Sequence, residues 1–199
     1  MIDLAPMKSG RVDPTACTAR AEGGVTWGEF DHETQAFGLA TTGGVIPTTG
    51  IAGLTLGGGI GWLMGSYGLS CDNLLAVDIV TADGQLRKAS TSENADLFWG
   101  VRGGGGNFGV VTSFAYRLHP VRQVLGGLVI YPMDKAREVL QFYRQLTSTA
   151  PRRARRICRL VDLPAGRSCR RHHRLLQRYS GGRRKGAPTP TGFRLAACR

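Results

Sequence analysis

Thr48-Thr49-Gly50-Ile51-Ala52-Gly53-Leu54-Thr55-Leu56-Gly57-Gly58-Gly59-Ile60-Gly61-Trp62 is the stretch on which the reading of this chain turns. Six glycines fall between Gly50 and Gly61, interleaved with Ile51, Leu54, Leu56 and Ile60. A flexible linker carries serine and other polar residues, so apolar interleaving argues for a segment held in a core. Glycine has no Cβ, which lets a backbone approach a ligand closely and take positive φ. Successive N–H groups in such a loop form a concavity suited to a phosphate or pyrophosphate. Composition leaves two readings open: a buried glycine loop that cradles a cofactor, or a glycine bend that only lets two sheets pack.

Outward from that stretch the sequence alternates strand and helix signals. Residues 1–15 read as a strand entry with a turn at Val12-Asp13-Pro14, and Ala16 to Glu22 as a strand ending at Gly23-Gly24. Thr26-Trp27-Gly28-Glu29 fits a capping box, which starts a helix to about Phe37 with Gly38 at its C-terminal turn. Leu39 to Ile46 leads into the glycine stretch, and Trp62 to Tyr67 is expected as a short helical turn closed by Gly68. Leu74 to Thr81, Asp83-Gly84 and Gln85 to Ala89 read as strand, tight turn and returning strand. Ser92 is expected to cap a helix from Glu93 to about Val101, and Phe108 to Leu118 forms a further strand. Leu125 to Tyr131 adds another strand, and Asp134 opens a helix whose apolar face is Ala136, Val139, Leu140, Tyr143 and Leu146. Strands and helices mixed with hairpins predict an α+β fold rather than strict βαβ alternation.

Other motifs carry less. Gly104-Gly105-Gly106-Asn107-Phe108-Gly109 matches G-x-G-x-x-G, but that fingerprint works between a strand and a following helix. Here a helix precedes and a strand follows, so a tight turn between packed elements is expected. His32 and His119 have no partner in sequence that would make a triad or metal site, and both read as structural. Cys71 reads as a buried inert thiol, and Trp27, Trp62 and Trp99 as aromatics in or at the edge of the core.

The net charge of +12 is unevenly placed. Residues 1–150 hold 11 Lys+Arg and 13 Asp+Glu, a net of −2, whereas residues 151–199 hold 15 basic residues and one acid, Asp162, a net of +14. Arg, Ala, Gly and Pro fill 28 of those 49 tail positions, and no apolar periodicity survives past Leu160-Val161. Such a tail cannot bury enough apolar surface to offset its chain entropy, so disorder is expected there. The abrupt change at Pro151 points to a shifted reading frame in a GC-rich gene. An alternative is an interaction protein whose Arg-rich tail binds nucleic acid or an anionic surface. The five cysteines show no C-x-x-C pair and no zinc spacing, so neither a disulfide framework nor a metal site is expected. The N-terminus has neither a basic n-region nor an apolar h-region, so no signal peptide is read in this chain and the cytoplasm is favoured. The apolar runs are short and broken by glycine, which excludes a membrane span.

Five segments in order carry a family resemblance. They are the glycine stretch, Tyr67-Gly68-Leu69-Ser70-Cys71-Asp72-Asn73-Leu74, Val80-Thr81-Ala82-Asp83-Gly84, Asp96-Leu97-Phe98-Trp99, and Arg102 to Thr112. From about residue 2 to residue 148 the chain resembles the FAD-linked oxidases of the berberine-bridge-enzyme type, within the vanillyl-alcohol-oxidase superfamily with its PCMH-type FAD-binding domain. The resemblance implies the second subdomain of a PCMH-type FAD-binding fold over residues 1–121, the start of a substrate domain over 122–150, and a tail over 151–199. It implies FAD as cofactor, lying against Thr48, Thr49, Gly50, Gly53, Leu54, Gly57, Gly58, Gly59 and Gly61, with Val80 beside the adenine end. A small-molecule substrate (a sugar, alcohol or alkaloid) is the implied partner, and neither nucleic acid nor membrane is expected.

Three departures qualify what carries over. The family's covalent flavin–histidine link lies in a segment upstream of this chain's first residue. Ile46, in Gly44-Val45-Ile46-Pro47, stands where some members place a second flavin-linking cysteine. The C-terminal segment that supplies catalytic groups would follow residue 150 and has no counterpart in the tail. No catalytic residue is therefore assigned, and the chain is expected to be a fragment with weak or no turnover. A reductase on the same fold remains a second chemical reading, because oxygen reactivity is not legible in these residues.

Overall fold

The computed structural model describes residues 2–121, 124 and 131–149. The chain divides into two units, Met1–Val121 and Arg122–Arg199. In the first unit the elements are β1 (Gly10–Asp13), β2 (Thr18–Glu22), α1 (Trp27–Gln35), β3 (Leu39–Ala40), α2 (Ile51–Leu56), α3 (Met64–Tyr67), β4 (Leu74–Val80), β5 (Leu86–Ser90), α4 (Ala95–Val101), β6 (Val110–Arg117) and β7 (His119–Pro120). Five strands form one antiparallel sheet in the order β1-β2-β6-β4-β5, and β3 pairs with β7. The α+β expectation holds.

The sheet's inner face is made by two bulges. Strict alternation along Leu74-Leu75-Ala76-Val77-Asp78-Ile79-Val80 would send Leu74 to the opposite face from Val77 and Ile79. Instead Leu74 pairs with Tyr116 and Ala76 with Ala115, so Leu75 is an extra residue and the strand's phase shifts. A second shift, between Asp78 and Ile79, skips Thr112 in β6. The outcome places Leu74, Val77 and Ile79 of β4 and Val111, Phe114 and Tyr116 of β6 on one buried face.

Helix α1 covers that face. Its start follows the capping box: Thr26 Oγ1 accepts from the Glu29 N–H, and the Glu29 carboxylate accepts from the Thr26 N–H at 2.8 Å. Trp27, Phe30 and Thr34 are spaced for one helical face and are buried. The Trp27, Phe30 and Tyr116 rings meet with centroids 5.2–5.8 Å apart, and Phe114 stacks on Tyr116 at 6.1 Å. Beyond the helix Gly38 takes φ +67 and its carbonyl accepts from the Val121 N–H. The Asp83-Gly84 hairpin forms with Gly84 at φ +74, and the Asp83 carboxylate gathers the Gln85 N–H and the Arg87 guanidinium.

Two details depart from the sequence reading. Asn94, at φ 47, precedes α4 rather than Ser92; the Ser90 hydroxyl instead accepts from the Ser92 and Glu93 N–H groups and turns the chain early. Trp99 is 80% exposed and no core aromatic. Helix α4 buries Phe98 and Val101, one turn apart, and Trp99 lies about 100° round from Phe98.

In the second unit a 3-10 turn over Met133–Lys135 leads into α5 (Ala136–Thr149). Ala136, Val139, Tyr143 and Leu146 are half-buried, and Leu140 is exposed. Residues 125–130 of the expected strand, and the tail from residue 150 onward, lie outside the described residues.

Candidate functional site

The stretch quoted at the outset is not a continuous loop. Gly50 is extended (φ −67, ψ 142) and precedes the six residues of α2, which close at Gly57 with the Gly57 N–H donating to the Gly53 carbonyl. Ahead of it, residues 47–51 run beside the start of α1. The Trp27 N–H donates to the Thr49 carbonyl at 2.9 Å, the Gly28 N–H to the Pro47 carbonyl at 2.8 Å, and the Ile51 N–H to the Val25 carbonyl at 2.9 Å. Ile51, Thr55 and Leu56 anchor α2 from below, and the Thr55 hydroxyl meets the Tyr116 hydroxyl at 2.7 Å where both side chains are fully buried. Burial pushes the Tyr116 phenol far above its usual range, so it stays a neutral hydrogen-bonding group.

The six glycines serve two purposes. A Cβ built on Gly50 or Gly53 meets nothing within 4 Å, and both residues are exposed. Their bareness is not demanded by the chain's own packing. Three of the others are so demanded: Gly58 and Gly59 take φ +103 and +84, a Cβ on Gly59 would strike Ser70, and one on Gly61 would strike the Gly43 carbonyl; a Cβ on Gly57 would sit 3.3 Å from the Gly53 carbonyl, a tight contact without a clash. Thr48 is exposed, Thr49 half-buried, and the Leu54 side chain lies against Gly44 and Gly59. The site thus has an open glycine face on α2 and a closed glycine turn behind it.

That closed turn is pinned by residues the sequence reading did not single out as site residues. The Ser70 N–H donates to the Gly59 carbonyl and the Cys71 N–H to the Gly58 carbonyl, both at 2.9 Å. The Ser70 hydroxyl donates to the Thr42 carbonyl at 2.6 Å, and the Thr42 hydroxyl returns a bond to the Gly68 carbonyl at 2.8 Å. Asn73 ties the turn internally, its amide donating to the Tyr67 and Leu69 carbonyls at 3.0 and 2.8 Å. Ser70 and Asn73 sit inside the Tyr67–Leu74 segment, but only the folded chain brings Thr42 to them.

Val80 lies apart in sequence, at the end of β4. The Gly103–Gly109 turn bridges the gap: the Gly105 N–H donates to the Leu56 carbonyl at 2.9 Å, while Gly109, at φ +145, lies against the Val80 carbonyl. The turn is a packing device between α4 and β6, as expected from its neighbours. Cys71 is buried, and burial followed by the Asp72 carboxylate pushes its thiol up, which leaves it inert. His32 is exposed beside Glu33.

Three features fit this surface to FAD. The outer face at Gly50 and Gly53 is open to a close approach of a planar or phosphorylated group. Three buried polar atoms, Trp27 Nε1, Thr41 Oγ1 and Trp62 Nε1, have no partner, and they belong to the residues around Gly43, Gly44 and Gly61. Ile46 and Ile60, 56% and 65% exposed, leave an apolar margin beside the segment. No helix among the described residues is long and apolar enough to cross a membrane.

Comparison with known proteins agrees. Residues 1–90 match the FAD-binding domain family model. The FAD-linked oxidoreductase pgmH of Aspergillus terreus is 44% identical over 146 residues, which cover 73% of this chain and 30% of that protein. The crystal structure of 6-hydroxy-D-nicotine oxidase from Arthrobacter nicotinovorans superposes with a TM-score of 0.67 at 38% identity, covering 73% of this chain and 33% of that one. The BBE-like 1 protein of Physcomitrella patens gives a TM-score of 0.57 at 35% identity, covering 60% and 26%. The chain spans about a third or less of the length of each relative. Residues 1–90 are thus similar to the FAD-binding domain family, and the chain is similar to a part of the FAD-linked oxidoreductases.

Proposed function

We propose that this chain supplies the glycine-lined wall of an FAD site in an oxidase of the berberine-bridge-enzyme type. The observation that carries the reading is the bare outer face at Gly50 and Gly53, which internal packing does not explain. Thr48, Thr49, Gly50, Gly53, Leu54, Gly57, Gly58, Gly59 and Gly61 would line the cofactor, and Val80 would flank its adenine end. Bound FAD supplies hydride acceptance from a small-molecule substrate. The chain's own residues hold the main chain rigid through Thr42, Ser70 and Asn73 and exclude water through the apolar margin. Residues 1–121 would form the FAD-binding portion and residues 122–150 would open a substrate domain. Oxidation of a sugar, alcohol or alkaloid-like compound is proposed for the whole protein; the solved relative is named for oxidation of 6-hydroxy-D-nicotine.

The test is direct. Residues 1–199 are purified and titrated with FAD, following flavin absorbance and fluorescence quenching. Saturable binding at one FAD per chain is expected. A folded chain that neither retains nor titrates flavin overturns the reading.

A further inference from the structure

His119 stands outside every motif above, yet it closes the network behind the glycine turn. Its imidazole stacks on the Tyr67 ring with centroids 3.9 Å apart and planes 8° from parallel. Its Nε2 lies 2.7 Å from Asn73 Oδ1. Asn73 is 3% exposed and its amide group already donates to two carbonyls, so Oδ1 must be the atom facing the imidazole. Oδ1 only accepts, so Nε2 carries the hydrogen. The strand that bears His119 pairs with β3, where Ala40 opposes it, and β3 runs straight into Thr41-Thr42. The turn from Tyr67 to Asn73 is therefore gripped twice, by Thr42 on one side and His119 on the other, and it carries the Ser70 and Cys71 N–H groups that fix Gly59 and Gly58.

We propose that His119 is a positioning residue for the cofactor wall: its Nε2–H bond to Asn73 holds the Tyr67–Asn73 turn in the one arrangement that fixes Gly58 and Gly59 behind the open face of α2. The proposal rests on the FAD reading for its consequence and on the hydrogen-bond geometry for its cause. Burial and the Arg117 charge push the imidazole below its usual range, in keeping with a neutral ring that donates from Nε2 and stacks on Tyr67. Loss of the donor leaves Asn73 Oδ1 buried and unpaired, which favours any opening that lets water reach it.

The experiment uses the full chain with and without FAD. His119→Phe keeps an aromatic ring for Tyr67 and removes the donor; His119→Gln restores an N–H at a similar reach. In the cofactor-free protein, hydrogen exchange of the Ser70 and Cys71 amides is expected to speed up about tenfold or more in His119→Phe and to return most of the way in His119→Gln. FAD affinity is expected to fall about tenfold in the first and to recover in the second. Unchanged exchange in His119→Phe, or no rescue by His119→Gln, overturns the proposal. Nitrogen NMR of the unmutated chain decides the case even where His119→Phe does not fold: an Nε2–H tautomer supports it and an Nδ1–H tautomer overturns it. If the unmutated chain binds no FAD, the functional reading fails, while exchange and tautomer still judge His119.

Discussion

Gly53→Ala separates a glycine kept for a ligand from one kept for the fold. Gly53 lies inside α2, and its added methyl would meet nothing within 4 Å. Alanine in a helix interior is favoured over glycine by about 0.8–1.0 kcal/mol, so the variant should be more stable than the parent. For a unit of 1–121 that gain amounts to roughly 3–5 °C in Tm. A methyl forced between the backbone and a closely seated cofactor costs about 1–3 kcal/mol, a loss of roughly 5- to 150-fold in FAD affinity. Calorimetry and fluorescence-quenching titration read the two quantities on one sample. Stability up and affinity down is the expected pair. Stability up with affinity unchanged would refute the claim that the cofactor approaches this face, and stability down would refute the openness of the space. Gly61→Ala is the matched control: its methyl strikes the Gly43 carbonyl, so it should cost about 3 kcal/mol of stability.

The remaining expectations concern the fold that carries the site. Thr55→Val and Tyr116→Phe each strand one buried hydroxyl and should each cost about 1–3 kcal/mol in urea unfolding, while the double variant lies closer to the parent than their sum; strict additivity would show that the two hydroxyls do not interact. The Glu29 carboxyl is held at about 2, chiefly by the Lys8 hydrogen bond and then by Thr26. Its folded value lies below the ordinary 4.5, so its contribution is present above pH 4.5 and fades as pH falls toward 2. Glu29→Gln should flatten that part of the acid-unfolding profile, and an unaltered profile would refute the carboxylate's bonds to Lys8 and Thr26 as a source of stability. Burial pushes Asp31 the other way, up to about 6 from 3.8. Its contribution is therefore present below pH 3.8 and lost as pH rises through 6. Asp31→Asn should raise Tm above pH 6 and not below pH 3.8; an equal effect at both would show that its burial costs nothing.

The sequence alone determined those features whose cause is local. Thr26 and Glu29 are three residues apart, so the capping box needs only one helical turn to form, and Asp83-Gly84 needs only its own hairpin. Repeated glycines with Leu and Ile between them also marked residues 48–62 as a segment held in the fold, because their spacing cannot serve a flexible linker. Tertiary structure decided everything that depends on distant partners. Which glycines internal packing requires and which it leaves free follows from Gly43 and Ser70, and neither neighbour is visible in the run itself. The two bulges that put Leu74 with Val77, and Val111 with Phe114, arise from pairing between strands rather than from either strand's own pattern. His119 and Asn73 are 46 positions apart, and no periodicity links them. Local hydrogen bonds can be read from short spacings, whereas a contact made by chain return exists only once the sheet has closed.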